Sequence, residues 1–120
     1  IRVSQQGAVI VYGTPWSGKT PCYKNLSAPL GGIVRIRRAK QNSILQLNAV
    51  QAYSSLTVSF AGMTWVRAMS DCRHETIAKV IENVPCYTLS CLPDEESARI
   101  CYAKVTNHPQ EKGEARRNRC

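Results

Sequence analysis

The apolar positions of this chain change period several times, and each change marks an element. Ala8-Val9-Ile10-Val11-Tyr12 is an unbroken apolar run that predicts a buried strand. From residue 13 to residue 32 the pattern disappears, and Pro15, Pro21 and Pro29 are interspersed with Gly13, Gly18, Gly31 and Gly32. This predicts a loop of about twenty residues, a length that in compact domains usually carries function. Ile33-Val34-Arg35-Ile36-Arg37-Arg38 predicts a second strand. Its later residues alternate, so one face is either solvated or lines a charged site.

Residues 43–47 predict a short strand, and Asn48 is placed to cap a helix carrying Val50, Tyr53, Ser54 and Leu56. Thr57-Val58-Ser59-Phe60 alternates like a strand and leaves residues 57–63 ambiguous. Residues 64–83 carry the longest helical pattern, with Trp65, Met69, Cys72, Thr76, Ile77, Val80 and Ile81 on one stripe and Asn83 and Pro85 at its end. Residues 86–91 predict a strand. Pro93-Asp94-Glu95-Glu96 suits a helix start, and Ala98, Cys101, Tyr102 and Val105 form the expected apolar face of that helix. The order strand, loop, strand, strand, helix, helix, strand, helix predicts an α/β (α+β) unit, a mixed sheet with covering helices. We expect one domain over residues 1–106 and a basic, flexible tail over 107–120.

Composition narrows this picture. With 43% hydrophobic residues in 120, the chain has enough apolar mass for a core, so disorder is not the expectation. The net charge of +8 favours acidic partners, among them nucleotide phosphates. Nucleic acid is not expected as a partner: aromatic residues make up only 7%, and none lies near the basic run Arg35, Arg37, Arg38 and Lys40. No apolar stretch is long enough to span a membrane, so no membrane partner is expected. The chain starts at Ile1, which we read as the start of a fragment or processed product. Its six cysteines show no C-x-x-C spacing and there are only two histidines, which argues against a zinc site. We expect reduced thiols in a cytoplasmic protein, with Cys86, Cys91 and Cys101 as small core residues. A disulfide-bonded secreted protein is the weaker alternative.

One stretch carries a familiar chemistry. Gly13-Thr14-Pro15-Trp16-Ser17-Gly18-Lys19-Thr20 matches the nucleotide-binding pattern G-x-x-x-x-G-K-[ST], and it follows the first strand. A working loop of that kind points backbone N–H groups at the phosphates and opens a helix whose N-terminus adds its dipole. Here Pro15 removes one of those N–H groups, Trp16 is bulky, and Pro29, Gly31 and Gly32 leave no room for a useful helix after Thr20. We read the letter match as fortuitous. The loop keeps two readings: Trp16 packs down to anchor a long connection, or the loop makes a ligand contact.

Contact candidates for a phosphate or substrate are Gly13, Thr14, Trp16, Ser17, Gly18 and Lys19 in the loop and Arg35 and Arg37 on the second strand. Lys19 is the best single candidate for a phosphate, and Thr14 and Ser17 can donate to an oxyanion. His74 and His108 lack Cys or Asp partners at ligand spacing, so neither is expected to be catalytic. No catalytic residue and no metal ligand is assigned within the chain.

The motifs also resemble a family. Tyr12-Gly-Thr-Pro-Trp-Ser-Gly-Lys19, Tyr23-Lys-Asn-Leu-Ser-Ala-Pro-Leu30, Gly32-Ile-Val-Arg-Ile36, Asn42-Ser-Ile-Leu-Gln-Leu47 and Asn83-Val-Pro-Cys-Tyr-Thr-Leu-Ser-Cys-Leu-Pro-Asp94 occur in that order. This series, over residues 8–106, resembles the C-terminal half of bacterial HPr kinase-like proteins, members of the phosphoenolpyruvate carboxykinase-like kinase superfamily. The resemblance implies that ATP and Mg²⁺ are bound in the intact family by a P-loop and acidic residues upstream of this stretch. The missing N-terminal half would then be the first partner, and a peptide or protein substrate the second. HPr kinases carry an arginine just after the proline matched here by Pro29, where this chain has Leu30 and Gly31, so the resemblance does not extend to HPr as the substrate.

Two functions remain in view. One is the C-terminal part of a nucleotide-dependent, kinase-like protein, inactive on its own. The other is a non-catalytic, small basic α/β binding or scaffold module for a peptide or acidic partner.

Overall fold

The structure, a computed structural model, describes residues 1–16, 18–60 and 65–107. Among these residues six strands and three helices follow one another: β1 (Arg2–Val3), β2 (Val9–Tyr12), β3 (Ser27–Pro29), β4 (Ile33–Arg38), β5 (Ser43–Gln46), α1 (Ala49–Ser59), α2 (Arg67–Asn83), β6 (Cys86–Cys91) and α3 (Glu95–Thr106). The chain is α+β, as the element pattern predicts. It builds two three-stranded sheets where one mixed sheet was expected, in the orders β1-β2-β3 and β4-β6-β5.

The first sheet is antiparallel throughout, with Val3 opposite Val9 and Ile10 opposite Pro29. β1 and β3 were not expected. β1 is only two residues long and β3 ends in a proline, so neither declares itself as a strand, and both are held by pairing to the β-branched strand β2. Gly7 turns the β1–β2 connection at φ 84, a conformation that favours glycine.

The second sheet is mixed. β4 runs parallel to β6, with Arg35 opposite Thr88 and Arg37 opposite Ser90, while β5 runs antiparallel, with Leu45 opposite Thr88. A parallel pair needs a long crossover, and here β5, α1 and α2 supply it. β6 is the central strand, and four of its six residues are buried. Alternation sends Cys86, Thr88 and Ser90 to one face and Tyr87, Leu89 and Cys91 to the other. Cys86 joins Val9, Ala52, Leu56, Ile77, Val80 and Val84 in the core under α1 and α2. On the opposite face, a Cβ built on Gly32 would lie 3.0 Å from Val105 of α3 and 3.7 Å from the Tyr87 ring, which places α3 over that side.

Asn48 caps α1 as expected: its Oδ1 accepts from the Gln51 N–H at 2.9 Å and Gln51 Oε1 accepts from the Asn48 N–H at 3.2 Å. The ambiguous segment resolves as helix for Thr57, Val58 and Ser59, and the Thr57 hydroxyl donates back to the Tyr53 carbonyl at 2.7 Å. Residues 61–63 of that segment lie outside the described residues, as does the tail from residue 108.

The apolar stripe of α2 is corrected. Ile77 and Val80 are fully buried and Ile81 packs against them, but Trp65, Met69 and Cys72 are exposed. α1 meets α2 through other positions: the Tyr53 hydroxyl meets His74 Nδ1 and the Thr57 carbonyl accepts from Arg73, both half-buried, next to the exposed Cys72. The face of α3 is corrected too. Ser97 is buried, and Ile100, Cys101 and Val105 are half-buried, whereas Ala98 and Tyr102 face solvent. Ser97 tolerates burial because its hydroxyl donates to the Asp94 carbonyl at 2.7 Å. The described cysteines are unpaired; Cys86 and Cys91 are buried and Cys101 half-buried, matching the core role expected of them. No helix among the described residues is long and apolar enough to cross a membrane.

Asn42 joins the β4–β5 turn to the start of α3. Its Nδ2 donates to both carboxylate oxygens of Asp94, at 3.1 and 3.0 Å, and its Oδ1 accepts from the Leu92 N–H at 2.9 Å. The Asn42 amide, and next the Ser97 N–H, hold the Asp94 carboxyl below the usual aspartate range. The stability this lends is present above the ordinary aspartate value and is lost as pH falls through the lowered one. In Asn42→Ala the Asp94 carboxyl, followed by NMR, should titrate at higher pH, and acid unfolding should begin earlier. An unmoved Asp94 midpoint would refute the coupling. Tyr87 provides a second check. It is 1% exposed and its hydroxyl has no partner among the described residues. Removing an unsatisfied buried hydroxyl relieves its desolvation cost, so Tyr87→Phe should raise the urea-unfolding free energy by about 1 kcal/mol.

Candidate anion-binding site

The described residues of the loop after β2 do not form a phosphate cradle. The Gly13 N–H donates to the Leu26 carbonyl at 2.8 Å, continuing the β2–β3 ladder, and a Cβ at Gly13 would fall 1.8 Å from the Lys24 carbonyl oxygen. Gly13 is therefore required by the returning chain. The Thr14 hydroxyl donates to the Trp16 carbonyl at 3.1 Å, an engagement local to the loop. Gly18, Lys19 and Thr20 form bends, residues 21–26 have no regular structure, and the chain enters β3, so no helix begins after Thr20. Lys19 is exposed. Trp16 is 80% exposed, which overturns its reading as an anchor packed beneath the loop. Ser17 lies outside the described residues.

The two arginines fare differently. Strand alternation puts Arg35 and Arg37 on one face of β4, about 7 Å apart along the strand, and turns Ile36 and Arg38 to the other. The basic run thus splits, and Lys40 falls in the turn beyond. On the Arg35 face, Thr88 and Ser90 of β6 stand in register beside the two arginines, and Ser43 of β5 stands opposite Ser90. α1 covers only one end of this face, where Arg35 Nη1 reaches the Ser55 hydroxyl at 3.3 Å and its carbonyl at 3.5 Å. Beside that contact lies a cavity of about 250 Å³ between α1 and the sheet. Ile33, Leu47, Leu56 and Cys86 form its apolar wall, while Arg35, Ser55 and Ser59 carry polar atoms to it.

No described carboxylate pairs with either arginine. The two ion pairs among the described residues, Glu75–Lys79 and Glu95–Arg99, are spacings of four within single helices. Guanidinium groups with uncommitted donors, beside hydroxyls and without an acid, make a surface suited to an oxyanion. Among the described residues neither a carboxylate nor an imidazole lines the cavity. Burial pushes the Cys86 thiol up, away from the reactive thiolate, and its sulfur sits 3.7 Å from the Val84 carbonyl. Among the described residues no group of His, Cys, Asp and Glu could hold a metal ion. His74 is a packing residue, stacked on Tyr53 with ring centroids 6.0 Å apart.

Loop and arginine face belong to different sheets, so the residues chosen as one candidate set divide into two. Sequence reasoning missed Ser55, Ser59, Thr88 and Ser90. The spacing of four between Ser55 and Ser59 on α1, and the alternation of Thr88 and Ser90 with buried residues of β6, were the available signals. Comparison with protein-family models, with curated proteins and with solved structures yields no match to this chain.

The two glycines that frame the loop give a direct test. Gly13→Ala must displace the chain at Lys24 and should cost on the order of 2 kcal/mol or more in urea unfolding. A Cβ at Gly18 meets nothing within 4 Å, so Gly18→Ala should change stability by less than about 0.5 kcal/mol. Equal tolerance at both positions would contradict the loop path described.

Proposed function

We propose that this chain is the C-terminal part of an HPr kinase-like, nucleotide-dependent kinase unit and is not catalytic by itself. One observation carries the reading. Val11 is 37% exposed, Tyr12 46%, Trp16 80%, Tyr23 62% and Leu26 63%, and all lie on β2 or on the excursion between β2 and β3. Leu26 is joined to Gly13 through the ladder, so Tyr12, Gly13 and Leu26 are immediate neighbours. Exposed apolar side chains grouped along one segment are characteristic of a face that another body covers. The motif series from Tyr12 to Asp94, which resembles the kinase family, supplies the covering body: the half that would bring the phosphate-binding loop and the magnesium-binding acids. ATP and Mg²⁺ then belong to the assembled site, and a peptide or protein is its substrate.

The alternative, a non-catalytic basic module for a peptide or acidic partner, is favoured by the Arg35–Arg37 face alone. It leaves the apolar surface around β2 without a purpose.

Mg-ATP titration tests the proposal, read from Trp16 fluorescence in a Trp65→Phe background. The folded 120-residue chain should give no saturable response. Magnesium-dependent saturation that disappears in Lys19→Ala would make the loop a self-contained nucleotide site and overturn the proposal. The coding sequence preceding the Ile1 codon gives an independent reading: a strand, a glycine-rich loop opening a helix, and an acidic pair are expected there, whereas a start codon close to Ile1 would refute the partial-kinase assignment.

A further inference from the structure

We infer that the Arg35–Arg37 face and the cavity at its end form one binding site for a small phosphate monoester that carries an apolar group. The site does not depend on the kinase reading, because it uses none of the residues around β2.

Its polar part is a short array. Arg35 and Arg37 project from one side of β4, and Thr88 and Ser90 flank them from β6 in strict register. Arg35 engages only through Nη1, at 3.3 and 3.5 Å, longer than a normal charge-assisted bond. The remaining donors of its fork stay uncommitted among the described residues, and Arg37 has no side-chain partner there. Arginines about 7 Å apart on one strand face can close on a single tetrahedral anion from two sides, since each guanidinium reaches several ångströms from its Cα. The neighbouring hydroxyls add donors whose orientation adjusts to the oxygens.

The apolar part decides the ligand. An isolated inorganic anion would need only the arginines. Here Arg35 also borders a cavity of about 250 Å³ walled by Ile33, Leu47, Leu56 and Cys86. That volume falls below the usual range for drug-sized ligands, so it suits a single ring or short branched chain. A monoester seated with its phosphate on Arg35 and Arg37 would place the ester group at this opening. An isolated carboxylate has less charge and fewer acceptor oxygens, and so uses the array less fully.

NMR titration of the intact chain with phenyl phosphate, inorganic phosphate and benzyl alcohol tests the site. Phenyl phosphate should bind at least tenfold more tightly than either of the others and shift the amides of Ser55, Thr88 and Ser90. Arg37→Gln, at an exposed position that does not threaten folding, should weaken it fivefold or more, as should Arg35→Gln. Ser59→Leu, which narrows the cavity, should weaken phenyl phosphate while leaving inorganic phosphate unchanged. Lys19→Ala should change none of these values. Equal affinity for phenyl phosphate and inorganic phosphate, or undiminished binding in both arginine variants, would overturn the inference. So would a phosphotyrosine tetrapeptide that binds tenfold more tightly than phenyl phosphate, since the ligand would then be a protein-borne phosphoester. Failure here leaves the partial-kinase reading standing, and failure of the Mg-ATP titration leaves this site standing.

Discussion

Double-sided pairing of β6 is the constraint on which the rest of the structure depends. Its ladder is taken up by β4 on one edge and β5 on the other, and its two faces are covered by helices from different parts of the chain. A strand so enclosed is mostly buried, and the segment reads Cys-Tyr-Thr-Leu-Ser-Cys, with Thr88 and Ser90 on one side and the Tyr87 hydroxyl, unpaired among the described residues, on the other. The same enclosure fixes the register of β4. Slipping β4 by one residue would turn Ile33 away from the α1 core and present Arg35 and Arg37 to the α3 side. The position of the arginines is therefore a consequence of core packing, and the anion-binding face follows from it.

Local interactions then trim each element to length. Val84 is extended ahead of Pro85, which stops α2 and delivers the chain into β6. Asp94 caps α3 while Asn42 holds the same carboxylate from the β4–β5 turn, so one side chain both starts a helix and ties it to the sheet. These contacts gather around the β4-β6-β5 sheet. Around β2 the strands are short: β1 is two residues long, β3 is three, and Tyr12, Trp16, Tyr23 and Leu26 stay in contact with water, as Ile36 and Leu45 do on the other sheet. A sheet this short has little to gain from solvent on its apolar side, and this exposure is what the proposed partner half would correct.

Much of this architecture was legible in the residues, and the exceptions have physical causes. β2, β4 and β6 declare themselves through apolar runs and β-branched content, and α1 and α3 through Asn48 and Asp94 at their starts. β1 and β3 were hidden because a pair of residues and a Ser-Ala-Pro segment acquire strand geometry only from β2, which the local sequence cannot express. The division into two sheets was hidden for the same reason, since it depends on which distant strand each edge meets. The stripe on α2 was overread because periodicity reports which face could be buried and says nothing about which positions α1 meets: Arg73 and His74 face it, and Cys72 does not. The candidate site was half legible: Arg35 and Arg37 were found from alternation, but their partners Thr88 and Ser90 lie more than fifty residues away and become neighbours only through the parallel β4–β6 register.

The match to the P-loop pattern shows what a string of residues leaves out. Phosphate binding by such a loop is a property of backbone N–H direction, and side-chain letters only permit it. The glycine that opens the pattern here is explained without a phosphate, because the Lys24 carbonyl passes where its Cβ would be and the Leu26 carbonyl takes its N–H. The glycine that closes the pattern has open space around it. Glycines in a working cradle would face one shared ligand, whereas these two answer to unrelated surroundings. The cationic groups that do converge on one face, Arg35 and Arg37, lie outside the phosphate-loop pattern. They are brought together by the two-residue period of a strand, and what they can bind is set by the cavity at the end of that face.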